Sequence, residues 1–223
     1  MKGKISEVFE SIQGEGLYLG ERQVFVRFFG CNLKCRYCDT TLTQFSEYAP
    51  EELFKQINFC NNGLHSVSFT GGEPLLQKDF LNEMLKLTSA SGYKNYLETN
   101  GSLPDELEDV IERIDFVAMD LKLPSSSGNE ELWDSHARFL DIASRKEVFL
   151  KAVICAETKE DDLLKAIDLV KRINRSAVLV LQPNSAEDKN LLSEKIAGFK
   201  DICGKEGVIA CAIPQMHKIV GLR

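Results

Sequence analysis

Short runs of β-branched and aromatic residues alternate along this chain with longer stretches whose apolar positions recur at helical spacing. The runs Gln23–Phe29, Ser66–Thr70, Asn95–Thr99, Asp115–Leu121, Val148–Ile154, Ala177–Gln182 and Gly207–Ile213 predict strands. Between them, Pro50–Phe59, Asp79–Ala90, Pro104–Arg113, Glu131–Ser144, Lys159–Arg172 and Ala186–Cys203 predict helices. In Lys159–Arg172 the apolar residues Leu163, Leu164, Ile167, Leu169 and Val170 recur at helical spacing, which predicts a helix that packs one face on a sheet. Pro50 suits a first helical turn, where its missing N–H costs nothing.

Alternation of this kind predicts an α/β fold, a mostly parallel sheet with helices outside it. Six main strands and a seventh at the end are too few for a closed eight-stranded barrel, so the pattern predicts a partial (β/α)6-type TIM barrel with parallel strands. Such sheets bind ligands at the carboxyl ends of their strands. The unusual residues collect there, in Cys31–Thr40, Thr70–Pro74, Glu98–Gly101, Asp120–Ser127, Gln182–Asn184 and Pro214–His217. These segments predict one shared mouth.

Composition narrows the class. Of 223 residues 43% are hydrophobic and 27% charged, with a net charge of −7. That balance argues against nucleic-acid binding, which wants a basic face. No apolar run approaches the roughly 20 residues of a membrane span, and MKGKISEVFE has no signal-peptide core, so a cytoplasmic protein is expected. Of seven cysteines, three crowd into eight residues, which in a reducing compartment reads as metal or cluster ligation. Cys60, Cys155, Cys203 and Cys211 are scattered, and Cys155 and Cys211 sit in apolar runs as small hydrophobes do.

The three form Cys31-Asn-Leu-Lys-Cys35-Arg-Tyr-Cys38, a C-x3-C-x2-C loop. On a four-iron cluster three thiolates leave one iron open to a ligand, where four would favour plain electron transfer. The rival is a zinc knot; it needs a fourth ligand, and none lies near unless Cys60 folds back. Thr70-Gly71-Gly72-Glu73-Pro74 follows a predicted strand and, taken alone, reads as a tight turn.

Together these segments, with the aromatic Tyr37 before the third cysteine, resemble the radical S-adenosylmethionine (SAM) superfamily. The resemblance implies a radical SAM core with a 4Fe–4S cluster on Cys31, Cys35 and Cys38 whose open iron chelates SAM. One-electron reduction from a flavodoxin or ferredoxin would then release a 5′-deoxyadenosyl radical. It also implies cofactor contacts from Tyr37, Cys38, Asp39, Gly72, Asp120, Leu121, Lys122, Gln182 and Pro183, while Glu73 is expected to brace the turn instead.

Glu7–Gly16, Phe25–Phe28, Cys38-Asp39-Thr40, Glu98–Gly101, Asp120-Leu121-Lys122 and Pro214–Gly221 further resemble the 7-carboxy-7-deazaguanine synthases, more weakly through Ser126–Glu147 and Asn184–Gly207. That family converts 6-carboxy-5,6,7,8-tetrahydropterin to 7-carboxy-7-deazaguanine and ammonia on the queuosine route. The resemblance implies hydrogen abstraction at C6, ring contraction and loss of ammonia. It implies one radical SAM domain, 1–223, with N- and C-terminal substrate-binding extensions, and a homodimer. Substrate contacts are expected from Ile12, Gln13, Gly14, Arg27, Thr70, Glu98, His217 and Arg223. Thr40 would hold magnesium. Arg27 offers a fork for a carboxylate, and Glu98 accepts from an aminopyrimidinone edge and is the candidate catalytic group. The bland alternatives are a surface arginine for Arg27, a cap for Glu98 and Thr40, and a surface histidine for His217. Alternative functions are an activase for a glycyl-radical enzyme and a non-catalytic iron–sulfur protein.

Overall fold

A computed structural model describes residues 1–40, 42–59 and 63–221. Its strands are β1 (Gly3–Ile12), β2 (Arg22–Phe28), β3 (Ser46–Tyr48), β4 (Ser66–Gly71), β5 (Asn95–Thr99), β6 (Phe116–Asp120), β7 (Glu147–Ile154), β8 (Leu179–Pro183) and β9 (Ala210–Ala212). Its helices are α1 (Pro50–Phe59), α2 (Lys78–Ala90), α3 (Pro104–Glu108), α4 (Pro124–Ser127), α5 (Trp133–Ala143), α6 (Glu160–Ile173), α7 (Lys189–Lys205) and α8 (Met216–Val220).

One sheet carries the strands in the order β3-β1-β2-β4-β5-β6-β7-β8-β9. From β2 to β9 every neighbouring pair is parallel and follows chain order, as in a (β/α) barrel, and the sheet ends on edges at β3 and β9 instead of closing. The partial barrel is thus present, with an antiparallel flap of β1 and β3 added outside β2. The sequence pattern did not mark β1 because its pairing with β2 slips between Ile5 and Glu7, which breaks strict alternation.

Period-two alternation then divides the chemistry. Val24, Val26, Phe28, Val67, Phe69, Leu97, Val117, Leu150, Leu179 and Leu181 point to the helices and form the main core. The opposite, concave face carries Phe25 and Arg27, Ser68 and Thr70, Tyr96 and Glu98, Ala118 and Asp120, Lys151, and Gln182. Its floor is aromatic: Tyr18 packs on His65, Tyr96, Phe116 and Phe149 at centroid distances of 4.9, 5.5, 4.7 and 6.3 Å. That plug closes the amino end of the strands and leaves the carboxyl end open.

Several expected boundaries shift. The helix expected over Pro104–Arg113 stops at Glu108 and resumes as a 3₁₀ turn at Ile111–Arg113, so that Leu107, Val110 and Ile111 all reach the core. The helix expected from Ala186 starts at Lys189, because the Asp188 carboxylate caps the N–H groups of Asn190 and Leu191. The last strand shortens to Ala210–Ala212. Cys155 and Cys203 are buried and Cys211 half-buried, while Cys60 lies outside the described residues. Among the described residues no helix is long and apolar enough to cross a membrane.

Candidate active site

The cysteine loop leaves the carboxyl end of β2 and lies against the turn after β4. Gly72 N–H donates to Phe28 O at 3.0 Å and Glu73 N–H to Gly30 O at 2.8 Å. The approach is so close that a Cβ on Gly72 would lie 1.9 Å from the Gly30 carbonyl oxygen. Glu73 is wholly buried and braces the crossing, accepting from Leu75 N–H (3.1 Å), Thr99 Oγ1 (2.9 Å) and Asn100 N–H (2.8 Å). Burial pushes its carboxyl up to about 7 against those donors. The structure shows the bracing role expected for Glu73.

Two loop thiols receive N–H donors: Cys31 Sγ from Leu33 N–H (3.4 Å) and Asn100 Nδ2 (3.9 Å), Cys35 Sγ from Asn129 Nδ2 (3.1 Å). Burial raises both thiols' pKa, partly offset by those donors and by the Lys122 ammonium. Among the described residues, no three His, Cys, Asp or Glu side chains converge on a single ion. In a cubane cluster each cysteine bonds its own iron, and N–H groups on the Cys31 and Cys35 sulfurs fit that group.

Above the loop lies a cavity of about 670 Å³, within the roughly 300–1,000 Å³ common for ligand sites. It is lined by Cys31, Cys35, Tyr37, Cys38, Asp39, Thr40, Thr70, Gly72, Asp120, Lys122 and Gln182, together with Ile12, Gln13, Gly14, Arg27, Glu98 and His217. Two expected residues do not line it. Leu121 is fully buried in the core, and Pro183 follows Gln182 by one position. One step along a strand reverses the side chain, so Asp120 and Gln182 face the cavity while their successors face away. Arg223 lies outside the described residues.

Three buried polar atoms around the cavity have no partner: Tyr37 OH, Asp120 Oδ1 and Gln182 Oε1. Buried polar groups are rarely left so, and unmatched acceptors suit a ligand that brings its own donors, as ribose hydroxyls and an adenine amine do. The SAM group therefore fits this wall. Lys122 crosses beneath it, 2.7 Å from Asp120 Oδ2 and 5.4 Å from the centre of the Tyr37 ring. Burial works against its charge, but Asp120, Tyr37 and Cys35 outweigh that and hold its pKa well above the usual lysine value.

On the neighbouring strand β5, Glu98 faces the same cavity and is set by Gln13 and by β4. Its Oε1 accepts from Gln13 Nε2 (2.8 Å) and Ser68 Oγ (3.4 Å), and its Oε2 from Thr70 Oγ1 (2.9 Å). Gln13 Nε2 also donates to Gln23 Oε1 (3.0 Å), and Gln23 to Ser66 Oγ (2.9 Å). Arg27 lies 5.6 Å from the centre of the Phe9 ring, with its nearest carboxylate contact, Glu7, at 3.9 Å.

The two chain ends meet over this space. Met216 N–H donates to Gly14 O at 2.9 Å, and a Cβ on Gly14 would fall 2.5 Å from His217 Nδ1. Gln215 Nε2 bridges Glu15 (2.8 Å) to Asp39 (2.9 Å), and Lys218 pairs with Asp39. Burial opposes ionisation of Asp39, but Lys218 and Gln215 prevail and lower its pKa. Lys151 of β7 pairs with Glu15 and lies 3.6 Å from Asp120 Oδ2. Burial likewise opposes ionisation of Glu15, yet the Lys151 ammonium and Gln215 bring it down to about 2 from an ordinary 4.5.

Lys151, Glu15 and Gln215 were given no role at the site by the sequence. The signal for Lys151 was visible: a lysine inside the apolar run Val148–Ile154 needs a partner. The partners lie 136 and 200 positions apart in Lys151–Glu15 and Gln215–Glu15, beyond the reach of local pattern. Glu15→Gln is expected to cost about 3 kcal/mol at neutral pH, since it takes from the buried Lys151 the nearer of its two carboxylate partners and leaves only Asp120 at 3.6 Å. Between about pH 4.5 and 2 the native state binds fewer protons at Glu15 than the unfolded chain, so stability rises with pH there. The gap between the variant and the parent, measured by denaturant unfolding, should therefore be full above pH 4.5 and close as pH falls towards 2.

Comparison with known proteins agrees with this geometry. The Radical SAM superfamily profile matches residues 25–192. A 7-carboxy-7-deazaguanine synthase of Geobacter sulfurreducens is 35% identical over 98% of this chain and 97% of its own length. One from Methanothermobacter thermautotrophicus is 34% identical over 100% and 99%. The crystal structure of QueE from Escherichia coli superposes with a TM-score of 0.66 at 20% identity, covering 95% of this chain and 94% of that one. That last likeness speaks for the fold.

Proposed function

The chain belongs to the 7-carboxy-7-deazaguanine synthase family of the radical SAM superfamily, and from that premise we propose how the cavity above the cysteine loop is shared between cofactor and substrate. It is a radical SAM enzyme of 7-deazapurine biosynthesis, on the queuosine route. The substrate is 6-carboxy-5,6,7,8-tetrahydropterin, and the products are 7-carboxy-7-deazaguanine and ammonia. The observation that carries this reading is convergence: the cysteine loop, the Gly72 turn, Arg27 and Glu98 all line one cavity.

Cys31, Cys35 and Cys38 hold the 4Fe–4S cluster, and Gly72 gives the backbone approach that the SAM amino group needs. Asp120, Lys122, Gln182 and the Tyr37–Asp39 backbone hold its adenosyl part. When bound, cluster and SAM supply one-electron cleavage and a hydrogen-abstracting radical. The chain itself orients the pterin. Arg27 takes the carboxylate bidentately, and Glu98, preset by Gln13 and Thr70, accepts from the ring N–H edge. Thr40, on the cavity wall beside Cys38, offers its hydroxyl to magnesium together with substrate oxygens. The N-terminal segment with Ile12, Gln13 and Gly14, and the C-terminal one with His217 and Arg223, are substrate-binding extensions. The Gly14–Met216 and Glu15–Lys151 contacts hold the first of them over the pterin and exclude water. A flavodoxin or ferredoxin supplies the electron, the compartment is the cytoplasm, and the assembly is a homodimer.

The test is a binding and turnover split at Arg27. Arg27→Lys keeps the charge but loses the fork, so KM for the carboxytetrahydropterin should rise on the order of tenfold or more with kcat largely kept. An unchanged KM with a reduced kcat would remove Arg27 from the carboxylate and reopen the substrate assignment.

A further inference from the structure

One cluster-loop thiol is held by a residue outside the cysteine motif. Asn129 stands just after α4 and the left-handed Gly128 (φ +74°), in a segment tied to the loop by Arg36 N–H to Ser127 O at 2.8 Å and Arg36 Nη2 to Ser125 O at 2.8 Å. Its amide acts with both ends: Oδ1 accepts the Lys34 N–H at 3.2 Å, and Nδ2 donates to Cys35 Sγ at 3.1 Å. The Lys34 donor decides which way the amide faces, because a flipped Asn129 would oppose N–H to N–H. Among the described hydrogen bonds to the loop sulfurs this is the shortest; those to Cys31 are 3.4 and 3.9 Å.

We propose that Asn129 is a positioning residue that raises the reduction potential of the cluster by donating a hydrogen bond to the Cys35 sulfur. The inference rests on the cluster assignment above. Reduction adds negative charge to the cluster and its thiolates, and an N–H aimed at a sulfur stabilises the reduced form more than the oxidised one. Asn129 thereby eases delivery of the electron from the reductant. The second bond, to Lys34, keeps the donor aligned while the loop carries its iron.

The experiment is a redox titration of the anaerobically reconstituted full chain, read by electron paramagnetic resonance, on the parent, N129S and N129D. N129S removes both bonds. N129D keeps an oxygen for Lys34 N–H and puts a carboxylate oxygen at the sulfur. At the parent's midpoint the reduced-to-oxidised ratio should fall about tenfold in N129S, about 59 mV for a one-electron couple. It should fall further in N129D, with iron per chain unchanged in both. Parent-like potentials in both variants would overturn the proposal. Loss of iron from both would overturn it too, since Asn129 would then hold the loop and not tune the cluster. A parent protein that takes up no cluster would instead sink the assignment beneath it, so the two failures are told apart.

Discussion

Gly72→Ala is expected to abolish cluster loading, with iron per chain below about a tenth of the parent after anaerobic reconstitution. The reason is space. The added Cβ would sit 1.9 Å from Gly30 O and 2.5 Å from Gly30 C, both backbone atoms with no rotamer to change. Relief requires the Gly30–Cys31 backbone to retreat, which pulls on the Glu73 N–H to Gly30 O bond and on the Glu73 brace behind it. Overpacking of this kind costs roughly 1–3 kcal/mol, too little to unfold a typical domain but enough to shift the first cysteine. A control separates the two effects. Gly198→Ala, within α7 where a Cβ meets nothing within 4 Å, should load iron normally and gain up to about 1 kcal/mol in denaturant unfolding. Normal iron in Gly72→Ala would contradict the close crossing.

Glu98→Gln is expected to lower kcat/KM for the pterin on the order of 10²–10⁴, from two weakened charge-assisted hydrogen bonds at about 1.5–3 kcal/mol each. The carboxylate accepts at both oxygens, from Gln13 and Thr70. An amide in its place can take the Gln13 donor on its oxygen and give its NH₂ to the Thr70 hydroxyl, which then accepts, so the protein-side bonds persist without the charge and the loss falls on the substrate edge. Cluster content and the spectral response to SAM should stay as in the parent, because Glu98 bonds Gln13, Ser68 and Thr70 and none of the loop cysteines. Steady-state kinetics beside the cluster spectrum check this. A kcat/KM within tenfold of the parent would remove Glu98 from the substrate edge.

Much of the parallel half-barrel was legible because β2 and β4–β8 are fully or largely buried strands bounded by clear helices. The cysteine loop and the Gly72 turn were legible because their chemistry is local. What escaped notice was non-local or depended on parity. β1 hid behind its slip between Ile5 and Glu7, and β3, three residues long, carries too little pattern to mark a strand. Leu121 and Pro183 were placed with their neighbours by motif, although the alternation that sets Asp120 and Gln182 on the concave face turns the next residue away. Lys151, Glu15, Gln215 and Asn129 form bonds that local periodicity cannot reveal, such as the 94-position step from Asn129 to Cys35.

The most direct test of the central claim is anaerobic turnover of reconstituted protein with SAM, a low-potential reductant and 6-carboxy-5,6,7,8-tetrahydropterin, followed by mass spectrometry and an ammonia assay. The account predicts 7-carboxy-7-deazaguanine and ammonia in equal amounts, lost when any one of Cys31, Cys35 or Cys38 is replaced by alanine. A cluster whose spectrum responds to SAM, in a protein that leaves the pterin unchanged, would contradict it.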